Sequence, residues 1–247
     1  MNGGYKTMDF YRAGENESKY IKYEESLIYN TAIIAWEENV VVAVLEYRIN
    51  NFEETEIINF HTFKLCNEKM VLEGLMEEIL FWNPYLKRIL YSKKNNFIRE
   101  DILKHIGFRE SSIWWLLDTN SNVNIFRINI EEITPEQLTV NKEKVDRIST
   151  WVNKPEDVVV QCVQIEDKTV CVDGYSRLVA AYIKGFEYVY AYLQTDTDNI
   201  EFYKTCMEWC KAQKIFSIKD LTSRIVSPEE HERLWINKCQ TYFNKCE

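Results

Sequence analysis

Residues 169–185 read TVCVDGYSRLVAAYIKG. Val170 and Val172 alternate with polar neighbours, which is the period of a strand with one buried face. Asp173-Gly174 breaks that run. Tyr175 to Ile183 then takes up helical spacing and stops at Gly185. A strand that turns through glycine into a helix leaves the first N–H groups of the helix without partners. The helix dipole adds partial positive charge at the same point, so the turn suits a phosphate or carboxylate. Arg177 can close on such an anion with its forked donors. Asp173 can hold a hydroxyl, a metal-bound water or the loop itself. The same residues also satisfy an ordinary helix cap, since Asp and Gly are common before a first turn.

Reading outward, IEEITPEQLTVNKEKVDRISTWV (130–152) lies upstream and GFEYVYAYL (185–193) follows. The order is a short polar segment, a helix, a strand ending in Asp-Gly, a helix, a glycine and a final strand. This order resembles the ParB/sulfiredoxin superfamily over about residues 125–195. Ile133, Pro135 and Gln137 match that family's opening I-x-P-x-x-Q-like segment. Asp173, Gly174 and Arg177 match its D-G-H-x-R turn, with Tyr175 in place of the usual His. The resemblance implies a nucleotide or phosphate ligand, ATP or CTP with Mg2+, seated on Gly174, Tyr175, Ser176 and Arg177 with Gln137 nearby. It also implies catalytic roles for Glu136 as a base and for Asp173 in positioning phosphates and magnesium. Sulfiredoxin chemistry is disfavoured, because Tyr175 stands where that enzyme carries its cysteine. Serine-kinase chemistry needs a base within reach of a hydroxyl. Gln137 occupies the place of the family's Glu and cannot take a proton, which leaves Glu136 or Glu132.

The first half of the chain reads differently. TAIIAWEENVVVAVLEYRI (31–49) is two strands joined at Glu37-Glu38-Asn39, and TEIINFHTFKL (55–65) is a third. Val71, Leu72, Leu75, Met76, Ile79 and Leu80 recur at helical spacing until Pro84 ends the run. LKRILYSKK is a short strand, IREDILKHIGF a helix stopped at Gly107, and SSIWWLLD a last strand. Strand-strand-strand-helix-strand-helix-strand, with Gly107-Phe108 before the last strand, is similar to the GNAT acyltransferase fold over about residues 5–118. That resemblance implies acyl transfer from acetyl-CoA to an amine. The family's glycine-rich pyrophosphate loop is missing: FKLCNEKMVLEG has no glycine before Gly74, and Glu68 puts negative charge where phosphates would lie. Glu46, Glu56 and Tyr91 are acid–base residue types that also read as ordinary strand residues facing water.

The expected fold is therefore α/β (α+β), a GNAT-like mixed-sheet domain over 1–120 followed by a ParB/sulfiredoxin-like domain over 125–247. The polar stretch TNSNVN (119–124) marks the boundary. A helical tail closes the chain. Ser227-Pro228-Glu229-Glu230 is a strong helix start, and Trp209, Leu221, Ile225, Leu234 and Trp235 are expected to pack the tail onto the second domain. His231 is expected to be solvated in its charged first turn. His61 and His105 belong to no metal or triad spacing.

With 247 residues and 46% hydrophobic composition the chain can bury a sizeable core. A net charge of −9 and no helix-turn-helix pattern argue against DNA as a partner. No apolar run spans a bilayer and MNGGYKTMDFYRAGENE is too polar for a signal peptide, so a cytoplasmic location is expected, without membrane contact. Seven cysteines without paired C-x-x-C spacing argue against a disulfide framework or structural zinc, and no metal site is expected. Cys206 and Cys210 share a helix face. Three functions stay open: a nucleotide- or phosphate-binding protein that is a small-molecule phosphotransferase or a regulatory binder, an N-acyltransferase, and a non-catalytic interaction protein.

Overall fold

A computed structural model describes residues 8–29, 31–194 and 198–244. They form two compact α/β units, Met1–Val123 and Asn124–Glu247. The first contains β1 (Asp9–Arg12), α1 (Glu24–Ile28), β2 (Ala32–Glu37), β3 (Val40–Ile49), β4 (Glu54–Thr62), α2 (Glu68–Trp82), β5 (Arg88–Ser92), α3 (Glu100–His105), β6 (Arg109–Glu110) and β7 (Trp114–Asp118). A 3-10 turn, Glu15–Tyr20, links β1 to α1. The seven strands form one sheet in the order β1-β2-β3-β4-β5-β7-β6.

Every element expected between residues 31 and 118 is present. The β2–β3 hairpin turns on Glu38 and Asn39, both at positive φ (51° and 62°), which suits the twist of a tight hairpin. Val71, Leu72, Leu75, Met76 and Ile79 bury the inner face of α2. The sequence reading missed β1, and Gly74 explains how β1 fits. The ring of Phe10 packs so closely on α2 that a Cβ at position 74 would lie 2.3 Å from its Cζ. Gly74 is thus a contact glycine inside the helix, unrelated to a phosphate loop.

Two features of this sheet bear on β4. Neighbouring strands are antiparallel except β4 and β5, which run parallel from Glu54↔Arg88 to Ile57↔Tyr91. Beyond that point β4 continues to Thr62 with no strand on its β5 side among the described residues, while β5 stays paired to β7. The second feature is a bulge at Ile58, between the pairs Tyr47↔Ile57 and Glu46↔Asn59. The sheet therefore splits where β4 and β5 diverge, leaving backbone N–H and C=O groups along one edge of β4.

The second unit contains β8 (Ile125–Asn129), β9 (Ile133–Thr134), β10 (Val140–Asn141), α4 (Lys142–Ser149), β11 (Val159–Ile165), β12 (Lys168–Asp173), α5 (Tyr175–Ile183), β13 (Tyr188–Leu193), α6 (Ile200–Ala212), α7 (Ile218–Thr222), β14 (Ile225–Val226), α8 (Pro228–His231) and α9 (Asn237–Phe243). A five-stranded mixed sheet runs β8-β13-β11-β12-β9, and β10 pairs with β14. The strand-turn-helix of 168–183 forms as read. Gly174 is its N-cap at φ 102°, a left-handed conformation in which a Cβ would meet Val160 Cγ1 at 2.9 Å. α8 and α9 join through a π turn, Glu232–Ile236, so the tail helix runs from Pro228 to Phe243 with one wide turn inside it. Ser227 caps it by accepting from the Glu230 amide at 3.3 Å. Of the residues expected to pack the tail, Leu221 and Trp235 are buried and Trp209 and Ile225 partly so. Leu234 instead points to solvent on the outer side of the π turn.

Candidate functional site

The residues singled out in the second unit separate into an outer and an inner group. Outside, Asp173 and Arg177 pair across one helical turn at 3.2 Å, with Asp173 mostly exposed. The Leu178 amide is the first in α5 to find an intrahelical acceptor, the Gly174 carbonyl at 2.9 Å. Ser176 is part-exposed in that first turn.

Inside lies a different arrangement. Tyr175, expected to touch a ligand, is buried. Its hydroxyl donates to the Cys171 carbonyl at 2.6 Å and accepts from the Glu136 amide at 2.7 Å. It is a strut between β12 and the segment after β9, which corrects the ligand-binding assignment. Glu136 is 4% exposed and one of its carboxyl oxygens, Oε2, has no hydrogen-bond partner. Burial pushes its carboxyl up to about 8, while a hydrogen bond from the Cys206 thiol lowers it. A carboxyl sealed in this way has no open path to a substrate hydroxyl, so the part of exposed general base does not suit Glu136. Gln137 donates its side-chain amide to the Thr139 carbonyl at 2.6 Å, and its main-chain carbonyl receives the Cys210 thiol at 3.5 Å. His231 is half-buried and bonded to the Thr139 hydroxyl at 2.9 Å, not solvated. Burial, and then Lys144, hold it below the usual histidine range.

In the first unit, Glu46 and Tyr91 also turn out to be buried. Glu46 accepts from the Lys22 and Tyr23 amides at 2.9 and 2.8 Å and from the Asn59 side chain at 2.8 Å. It ties the connection after β1 to the bulged part of β4. The Tyr91 hydroxyl accepts from the Ile98 amide at 3.0 Å. Neither faces water.

A cleft that the sequence reading did not single out lies between that tied connection and β4. It is an open depression of about 380 Å³ lined by Lys19, Tyr20, Ile21, Lys22, Asn59, His61 and Phe63. Asn59 and His61 alternate along β4 and so share one face, and Phe63 continues the alternation just past its end. The Phe63 ring packs edge-on against His61 and Tyr20, with centroids 4.7 and 5.0 Å apart. Lys19 and Lys22 form no ion pair among the described residues, although the chain is acidic. Their ammonium groups lie over Tyr20 and Tyr23. Alternation of Asn59, His61 and Phe63 was the available signal. What hid the cleft is that its other wall comes from residues some forty positions upstream.

The segment from β4 to α2 presents Phe63, Leu65 and Met70 to solvent, Leu65 completely. At the start of α2 the Asn67 side chain accepts from the Met70 amide at 3.3 Å, and Glu68 follows. Lys64 is paired with Glu37 and Lys69 with Glu73. Among the described residues no group of His, Cys, Asp and Glu could hold a metal ion, and no helix is long and apolar enough to cross a membrane.

No family model and no curated protein matches this chain. Among solved structures it is similar to a GNAT-family acetyltransferase from Bacillus cereus, with 15% identity and a TM-score of 0.36, over 45% of this chain and 97% of the other. It is similar to N-acetylglutamate synthase from Neisseria gonorrhoeae, crystallised with coenzyme A and L-arginine, with 10% identity and a TM-score of 0.39, over 46% of this chain and 33% of that one. A third is Ard1 from Thermoplasma volcanium, with 13% identity and a TM-score of 0.35, over 45% and 97%.

Proposed function

We propose that the first unit is an N-acyltransferase-type domain. An acyl-pantetheine chain lies along the free edge of β4, and an amine is held in the cleft at Asn59, His61 and Phe63. The observation that carries this reading is the divergence of β4 from β5 after Ile57↔Tyr91. A strand edge left open in this way pairs with an extended, amide-bearing ligand as it would with another strand. When bound, the thioester supplies an activated acyl carbon. His61 stands on the cleft face of β4, where an imidazole can take the proton that an amine gives up as it attacks the acyl carbon. Glu46, holding both Asn59 and the Lys22–Tyr23 backbone, keeps the two cleft walls in register.

The residues fit the pantetheine arm and not a tight pyrophosphate cradle. The first-turn amide of Met70 is already engaged, Glu68 is acidic, and Lys64 and Lys69 face carboxylates. The nucleotide end of coenzyme A is thus held weakly, and most of the affinity comes from the arm. Thermal shift with acetyl-CoA and with S-acetyl-pantetheine tests this, because a ligand that binds only the folded state raises Tm by mass action. Both should stabilise the protein to a similar degree, and His61→Ala should abolish transfer to an amine panel while leaving those shifts intact. No shift with either compound refutes the reading.

A second reading, phosphate-ligand binding at Gly174–Arg177, is favoured by the free first-turn amides of α5. The Arg177–Asp173 pair opposes it, since the guanidinium already has a carboxylate. ATP or CTP with Mg2+ in the same thermal-shift series distinguishes the two: a shift that vanishes in Arg177→Ala belongs to the second unit.

A further inference from the structure

The C-terminal helix lies against α6 through two matched stripes. On α6 the stripe is Phe202, Cys206 and Trp209; on the tail it is Trp235, Cys239 and Tyr242. Both have the four-then-three spacing of one helix face. Phe202 packs on Tyr242 and Phe243, with centroids 5.1 and 4.6 Å apart. Trp209 packs on Trp235 at 6.4 Å and on Tyr242 at 6.2 Å, and the Lys238 ammonium sits 4.3 Å from its ring. These contacts run the helices antiparallel and set the middle residues, Cys206 and Cys239, opposite each other. The two thiols act on each other's proton affinity, Cys206 being raised and Cys239 lowered. Cys206 is fully buried, whereas Cys239 is part-exposed.

We infer that Cys206 and Cys239 are a site of reversible oxidative modification, closing to a disulfide between α6 and the tail helix on exposure to hydroperoxides. Solvent access makes Cys239 the attacking sulfur. The neighbouring Cys206 thiol is the largest influence holding its thiol below the ordinary range, and Lys238 adds to it. The Cys239 thiolate attacks the terminal peroxide oxygen. The O–O bond breaks, water or an alcohol leaves, and Cys239 becomes a sulfenic acid. Cys206 sulfur then attacks Cys239 sulfur. An S–S bond forms, the S–O bond breaks, and the departing hydroxide leaves as water with the Cys206 proton. The sum is two thiols and one hydroperoxide giving a disulfide, an alcohol (or water) and water, with two electrons passing to the peroxide. Thiols such as glutathione reverse it by exchange.

The other cysteines act as internal controls. Cys162 and Cys171 face each other across β11 and β12 but are completely buried, so an oxidant cannot reach them. Cys66 is part-exposed and has no neighbouring thiol among the described residues. Cys246 lies outside the described residues. The test uses the full chain with sub-millimolar hydrogen peroxide, followed by alkylation and peptide mapping by mass spectrometry. The expected product is a peptide linking residues 206 and 239, with Tm raised by roughly 5–10 °C and restored to its starting value by dithiothreitol. Cys239→Ser should lose both effects, and Cys206→Ser should leave a Cys239 sulfenic acid that dimedone traps. If Cys206→Ser fails to fold, the wild-type map still decides. Cys239 linked to Cys246, or oxidised beyond sulfenic acid while Cys206 stays alkylatable, overturns the inference.

Discussion

Replacing Glu136 by Gln should stabilise the second unit by an amount that grows with pH. The carboxyl is sealed in the core, and burial raises its proton affinity from 4.5 to about 8. The unfolded chain releases this proton near 4.5, whereas the folded chain keeps it until about 8. Between those values the folded state binds more protons, so stability falls as pH rises. The stabilising contribution is fully present below the unfolded value and is lost as pH passes through the folded one. The total is about 5 kcal/mol across the window, with about 3 kcal/mol already lost near pH 7. Glutamine mimics the protonated carboxyl in shape and does not titrate. Urea unfolding followed by hydrogen exchange of peptides from β11, β12 and α5 confines the reading to this unit. The difference between Glu136→Gln and wild type should be about 1 kcal/mol near pH 5 and about 4 kcal/mol near pH 8. Groups common to both proteins cancel in that difference. A gap that does not change with pH, or a variant destabilised throughout, would show that Glu136 is not held neutral by burial.

Removing the Tyr175 hydroxyl with Tyr175→Phe strands the Glu136 amide and the Cys171 carbonyl in the core, and should cost about 2–4 kcal/mol by urea unfolding. A loss below about 0.5 kcal/mol would mean that the strut is replaced by water. Gly174→Ala places a Cβ against Val160 at positive φ and should cost about 1–3 kcal/mol. Gly74→Ala drives a methyl into the Phe10 ring; it should cost about 1–3 kcal/mol, and Gly74→Ala combined with Phe10→Leu should recover part of that in a double-mutant cycle.

How legible was this in the sequence? Long periodic segments were readable because period and burial coincide. The α2 stripe from Val71 to Ile79 and the Val170/Val172 strand running into Gly174 are of that kind. The elements that went unseen are short or have no period of their own. β1 is four residues, DFYR, whose place is set by β2 and by the notch at Gly74. β6 and β14 are two residues each and exist only as partners of other strands. The site was less legible than the fold. Glu136 sits in a Pro-Glu-Gln run that reads as solvated polar sequence, and what buries it is Tyr175 about forty residues later and Cys206 about seventy later. Tyr175 looked like a ligand residue for a local reason, its place in a turn. Its distant partners made it a strut. His61 lacked a neighbouring acid or metal ligand in sequence, and its surroundings come from the connection after β1.

The wide turn at Glu232–Ile236 sets the phase of everything after it. A π turn holds one residue more than the α turn it replaces, and one residue is about 100° of rotation around the axis. Remove a residue there and the last helix could still form with the same composition. Its aromatic face would then swing a quarter-turn or more away from Trp209, and Cys239 would no longer look at Cys206. The tail is therefore tuned like a key whose teeth are fixed by a single spacer: its fit to α6 depends on how many residues precede position 237, as well as on which residues follow it.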